Sequence, residues 1–402
     1  MIEPKTPAYR RVSFALAFGS FLVFCNLYLF QPMLPLMADA FSVSATQVNW
    51  LQASSTLTLA VCLVPWAVCS EMLGRRFVML LSLFLLPVVG LTMLLSSSIV
   101  GLSLARGAMG VALAGFAAVA VAYMAEEFSP KALALAVGTY VSANSLGGIA
   151  GRIFGGVVSD WYNWQTAVVA MAVFSLLGAL LVMKALPAQR HFKPQRGLFF
   201  HHNKSVIEHL KQPKLLLAMI IGGLNFALFV NLYSVAGFRL VAPPYNWPVS
   251  LASTIFLCYL AGTLSARLSG IWSQKHSKII GMVVGTSISL LGMLVAYVES
   301  VSAILGGLML VSFGAFFTHS LAYSWVSQQA KTAKATATAL YLVHYYIGGS
   351  IGGFWLIYCW QHGGWITVIE GACLLYIGIF VLCWRLHQRV TIEAQGMSPQ
   401  QC

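Results

Sequence analysis

Apolar runs long enough to cross a bilayer return along this chain at regular intervals, and few architectures can be built from such a pattern. A helix rises 1.5 Å per residue, so about 20 consecutive apolar residues span the hydrocarbon layer. Twelve runs can be placed, from 12–37 to 364–385, six before a polar stretch at 188–213 and six after it. Backbone polar groups in lipid must be satisfied within the segment, so each run is predicted to be a helix. Charged residues are only 8% of the chain and hydrophobic ones 59%, where a soluble domain carries about a quarter charged residues. The fold class expected is an all-α integral membrane protein with twelve transmembrane helices.

The few charges are placed with a bias. Of 23 Lys and Arg, nearly all lie in alternate loops or at the run ends facing them; Arg239 lies toward the other side, and Arg106, Arg152 and Arg267 lie within runs. Basic loops stay on the cytoplasmic side, which puts both termini and the 188–213 stretch there. The net charge of +13 is then topological and calls for no nucleic-acid partner. Arg10-Arg11 and Ala38-Asp39-Ala40 bracket the first run as in a signal peptide, but its length and its Asn26, Gln31, Pro32 and Pro35 argue that it is retained. The eight cysteines form no CxxC and no zinc spacing with histidine, so neither disulfide, metal nor other cofactor is expected.

The chain contains itself twice. A shift of 201 lays Tyr140 on Tyr341, Gly147-Gly148 on Gly348-Gly349, Gly151 on Gly352 and Trp164 on Trp365; a shift of 205 lays Phe21, Phe24, Asn26, Leu27 and Tyr28 on Phe226, Phe229, Asn231, Leu232 and Tyr233. Two like halves follow, 1–187 and 214–402, joined by a 188–213 linker. Gly147, Gly151 and Gly155 recur once per helical turn, a face on which a neighbouring backbone can come close, and Gly348 and Gly352 repeat it. Arg152 lies about 40° round the helix from Gly148 and Gly156 and so points into the protein. Tyr28 and Gln31 share a face, and with Asn26, Asn144, Asn231 and Tyr233 they are the candidates to line a substrate cavity. For the asparagines the alternative is an interhelical tie.

Ala67 to Leu80, AVCSEMLGRRFVML, resembles the GxxxDRxGRR loop of the major facilitator superfamily. Glu71 stands for its Asp, Gly74 for its second glycine and Arg75-Arg76 for its basic pair; Ala67 and Met72 depart from it. A carboxylate, a glycine turn and two arginines make a charge-assisted latch that can form in one state and break in another. The second-half copy, Gly270 to Lys278, has Gln274 and Ser277 in place of acid and glycine and should latch more weakly. Arg106, Gly110 and Ala114 resemble the RxxxGxxxA pattern of the fourth helix in proton-coupled members. Gly138, Gly147, Gly151, Gly155 and Gly156 resemble the antiporter signature of the fifth, with Arg152 where that signature has proline.

The resemblance covers the whole chain. It implies two pseudo-symmetric six-helix bundles, each of two inverted three-helix repeats, around a central cavity that opens to alternate sides. It implies a monomeric secondary transporter of a small organic molecule in a bacterial inner membrane, with export by proton antiport favoured over proton symport or uniport. No Walker loop or GxGxxG followed by an acid supports ATP-driven transport. Ionisable groups at bilayer depth are the coupling candidates: Arg106, Arg152, His319, His344 and Glu370, the one acid well inside a run. Glu126-Glu127 are expected to be solvated near Lys131. Gly348 to Gly352 matches GxSxG, but its repeat partner carries Ile149 in the serine slot and no strand precedes it, so a hydrolase is set aside. A membrane sensor would require a soluble appendage that is not present. In the linker, Phe199 and Phe200 could rest on anionic lipid, and His201, His202 and His209 are too loosely spaced for a metal site.

Overall fold

The computed structural model describes residues 1–190, 192, 206–298, 300–330 and 334–394. Eleven helices among them are long and apolar enough to cross a membrane: Pro7–Ala40, Ala45–Leu73, Arg75–Leu95, Ile99–Glu127, Pro130–Trp161, Trp164–Ala185, Pro213–Val241, Val249–Lys275, Lys278–Val295, Val301–Gln329 and Thr336–Glu393. The last is two spans in one. At Gly364, φ is 67° and ψ −152°, a conformation glycine adopts without a Cβ penalty, and the helix breaks there. Counting its parts as spans eleven and twelve gives twelve. Residues 360–363 are helical, so no loop separates these two spans and the break falls on a single glycine.

Side chains cap the spans where backbone N–H groups would be orphaned. Thr6, Ser98, Ser129, Asn163 and Ser300 each accept a backbone N–H at the start of a span. The first span is interrupted. Its helix Pro7–Tyr28 gives way to a 3-10 turn at Gln31–Met33 before Leu34–Ala40 resumes, because Pro32 lacks the N–H that the Tyr28 carbonyl would accept.

The chain forms two compact units. The first is Met1–Leu198 with Leu240–Phe256, the second Phe199–Arg239 with Leu257–Cys402. The repeat gives no sign that 240–256, the end of span seven through the start of span eight, belongs with the first unit. Within the first unit, a Cβ at Gly147, Gly151 or Gly155 would strike the backbone carbonyls of Phe21, Cys25 and Leu29 in turn, so spans five and one pack backbone on backbone. Ser82 Oγ donates to the Ala112 carbonyl at 2.5 Å and accepts from Phe116 N at 3.0 Å, tying span three to span four. In the second unit Gly348 and Gly352 abut Gly223 and Ala227 of span seven. Spans nine and ten meet through two facing glycine pairs, Gly285 with Gly314 and Gly292 with Gly307. Lys214 and Glu393 form an ion pair between the start of span seven and the end of span twelve.

Candidate functional site

In the first unit three of the expected residues converge. Arg152 is 1% exposed; its Nε donates to Gln31 Oε1 at 2.7 Å and one terminal nitrogen to the Gly148 carbonyl at 2.8 Å. Its guanidinium carbon lies 3.6 Å from the centroid of the Tyr28 ring and 4.7 Å from that of Phe256. The interrupted end of the first span makes this meeting possible, since it carries both Tyr28 and Gln31 to the Arg152 face of span five. Two further contacts lie one and two turns along that face. Gly156 faces Ser253, and Asp160 accepts from Val249 N at 3.3 Å and from Ser250 Oγ at 2.6 Å. Residues 249–256 thus run as a strap along the Arg152–Gly156–Asp160 edge. Asp160 is inconspicuous in the sequence because it closes a span, where an acid needs no explanation.

Arg106, also 1% exposed, is held differently. Its nitrogens donate to the carbonyls of Leu51 at 3.0 Å, Asn26 at 2.9 Å and Leu27 at 2.7 Å, and to Ser55 Oγ at 2.9 Å; its guanidinium carbon is 4.9 Å from the Phe30 ring centroid. The carbonyls of Asn26 and Leu27 belong to the last turn before the first span breaks, so Arg106 supplies donors where the helix runs out of them. These partners are three backbone carbonyls and one hydroxyl. The asparagines are ties. Asn26 donates to Leu22 O and to Ser175 Oγ of span six at 2.8 Å, Asn231 to Ala227 O and to Gly349 O of span eleven at 2.7 Å, and Asn144 is hydrogen-bonded to Ser20. Asn225, not singled out from sequence, ties span seven to the Ala315 carbonyl at 2.9 Å.

At the basic end of the first unit, Arg75 Nε bonds Glu126 at 3.0 Å while Glu71 stands 3.8 Å from another of its nitrogens. Arg75 also donates to Ser70 Oγ at 2.5 Å. Arg76 donates to the carbonyls of Leu186 and Met183. Gly74, at φ 98°, presses against Gln189, whose Oε1 accepts from Arg76 N at 3.0 Å. Glu126 therefore pairs with Arg75, which corrects its expected pairing with Lys131. Glu127 accepts from Arg190 N at 2.6 Å, and the N-terminus is stitched beside it by Ile2 N to Glu127 O at 2.7 Å.

In the second unit His319 shares a 3.0 Å hydrogen bond with the Tyr341 hydroxyl, its ring 4.4 Å from that of Tyr345 and 6.2 Å from that of Tyr323. His344 bonds the Leu340 carbonyl of its own helix, at 2.8 Å. Glu370 lies within the last helix, on an exposed face. Tyr233 donates to Leu308 O at 3.0 Å and meets Ser312 of span ten, so its hydroxyl is engaged within its own bundle. Ser350 of the GxSxG match donates to Tyr346 O at 2.9 Å in mid-helix, not on a strand-to-helix elbow. Among the described residues Gly138 has no neighbour within 4 Å of a Cβ, unlike the other glycines of its signature. Phe199, Phe200, His201 and His202 lie outside the described residues.

Twelve apolar helices, span ends tied by side chains and buried cations held by backbone carbonyls define an all-helical, multi-pass membrane protein. The profile of the Major Facilitator Superfamily matches residues 16–353. The chain belongs to that superfamily and is a membrane transporter of a small-molecule substrate. It is 33% identical over 393 residues to the inner membrane transport protein YnfM of Escherichia coli (strain K12), covering 97% of this chain and 93% of that protein. It is 33% identical to the uncharacterized MFS-type transporter YybF of Bacillus subtilis (strain 168), covering 89% and 90%. Among solved structures, a bacterial homolog of the human lysosomal transporter Spinster, inward-facing and unoccupied, superposes with a TM-score of 0.73 at 15% identity over 95% of this chain and 96% of that one.

Proposed function

We propose that the chain is a monomeric carrier of a bacterial inner membrane, both termini cytoplasmic, that exports a small organic molecule in exchange for protons. The supporting observation is the seat of His319. Of the three coupling candidates that are not arginines, His344 is engaged by its own helix and Glu370 is exposed, whereas His319 of span ten is bonded to Tyr341 of span eleven. An imidazole inside a protein charges when a counter-charge or water reaches it, which is the behaviour required of a group that exchanges a proton for cargo. The Glu71–Arg75–Glu126 cluster, with Gly74 and Arg76, serves as the cytoplasmic latch in this reading.

The test begins with a growth screen of deletion and overexpression strains across drugs, sugars and siderophores, followed by flux of the substrate in proteoliposomes. With an imposed pH gradient, His319→Gln is expected to lose uphill flux while keeping downhill exchange at equal pH. Full uphill flux by the variant would remove His319 from the mechanism. Wild-type flux indifferent to the gradient and to a protonophore would remove proton coupling itself.

A further inference from the structure

We propose that the basic end of the first unit binds one anionic phospholipid, with an acyl chain in a groove between spans three and six and the phosphate at Arg76. The site goes beyond the transport reading and does not depend on the direction or coupling of transport. The groove is a cavity of about 490 Å³, within the range of about 300–1,000 Å³ typical of small-molecule sites. One wall is span three. Arg76, Phe77, Leu80, Leu81 and Phe84 line it, at the spacings that keep side chains on one helix face, so a cation at the rim leads into an apolar stripe. The eight-residue step from Arg76 to Phe84 carries that stripe about 12 Å along the helix, most of the hydrocarbon depth of one leaflet, about 15 Å. The other wall is Met183 at the end of span six, with Gln189 just beyond it. Phe77 is 54% exposed, and Leu81 and Phe84 are half-buried. The groove therefore opens to the surroundings of the protein, which beside a span are lipid.

The charge at the rim selects the headgroup. Two arginines hold the last carbonyls of span six: Arg76 donates to Leu186 O at 2.9 Å and Met183 O at 3.1 Å, and Arg11 to Ala185 O at 3.0 Å and to Lys184 O. Lys184 belongs to the same turn. Three cations thus gather where span six leaves the hydrocarbon. Helix-end carbonyls carry only partial negative charge, so they orient the guanidiniums and leave positive charge for a phosphate. Gln189 Oε1 accepts Arg76 N at 3.0 Å, which fixes the backbone at the rim. Cations also outnumber acids at this end, Arg11, Arg75, Arg76, Lys184 and Arg190 against Glu71, Glu126 and Glu127. A basic rim over an apolar groove complements a lipid that carries net negative charge, as cytoplasmic-leaflet lipids do. Lipid surrounds every span, but here the surface is concave and headed by fixed cations, so one lipid is held when its neighbours exchange.

The test uses the full-length protein in detergent micelles. Retained lipids are counted by native mass spectrometry, and affinity is read from the shift of the thermal unfolding midpoint as lipid is added. Phosphatidylglycerol, phosphatidylcholine and diacylglycerol with matched chains, and glycerol phosphate without chains, separate the contributions of net charge, phosphate and chain. Phosphatidylglycerol is expected to be retained as one tightly held copy and the other three to bind about tenfold or more weakly, the scale of a charge-assisted contact. Arg76→Gln removes the anchor and Leu81→Trp fills the groove; each should weaken phosphatidylglycerol by about tenfold. Lys275→Gln, at an exposed cation of the second unit, should leave it unchanged. Leu81→Trp keeps the proposal testable if Arg76→Gln does not fold. No retained copy, glycerol phosphate or diacylglycerol binding as well as the whole lipid, equal binding of phosphatidylcholine, undiminished binding by folded Leu81→Trp, or an equal loss in Lys275→Gln would each overturn the assignment.

Discussion

Arg106 is a buried cation whose hydrogen bonds run to the carbonyls of Leu51, Asn26 and Leu27 and to Ser55 Oγ. Its place in an apolar run marks it from sequence, because a charge at that depth has to be justified. Its partners do not show, since three of them are backbone carbonyls on spans one and two, and a carbonyl carries no sequence signature. The same limit hid the pairing of Arg75 with Glu126, 51 positions away, although both residues are visible in the chain. Asn26 and Asn231 were more legible. Each uses its amide on the carbonyl four residues back and on a neighbouring span, the ordinary work of asparagine in a bundle. For Arg106 the expected consequence is one of stability. Each carbonyl left without its donor costs about 1–3 kcal/mol, so Arg106→Ala should lower stability by about 3 kcal/mol or more in unfolding measurements, while the fraction that folds still transports. A variant as stable as the wild type but without uphill flux would return Arg106 to a direct part in coupling.

Among the elements, the glycine stripe was the most readable, because its period is that of the helix and its repetition in the second half excludes chance. Gly147, Gly151 and Gly155 meet Phe21, Cys25 and Leu29 at the same four-residue interval. What the pattern could not supply was the exception: Gly138 belongs to the same signature and has no neighbour among the described residues within 4 Å of a Cβ. That difference makes a matched experiment. Gly147→Leu inserts a side chain where span one's backbone already lies, an overpacking that costs about 1–3 kcal/mol or drives the helices apart, and flux should collapse. Gly138→Leu adds the same bulk to an exposed position and should be tolerated. Equal damage from both, scored by expression and flux, would show that the stripe has no special standing. The break in the first span was less legible. Pro32 was visible as an unusual residue, but only the structure shows that the interruption brings Tyr28 and Gln31 to Arg152.

For the whole molecule, the count of spans and the superfamily followed from hydropathy and three motifs, whereas the composition of the units did not. Internal repetition invites the assumption that each half is self-sufficient, yet Leu240–Phe256 is encoded in the second half and packs with the first. Asp160, Gly156 and Arg152 are among the residues it meets there. The consequence is genetic. Two halves that arose as copies can normally be exchanged among relatives by recombination in the linker, but here such a crossover parts a segment from the surface it evolved against. Chimeras with a relative joined at 188–213 should express poorly unless the codons for 240–256 come from the same parent as the first half, so this short segment sets where the gene can be cut.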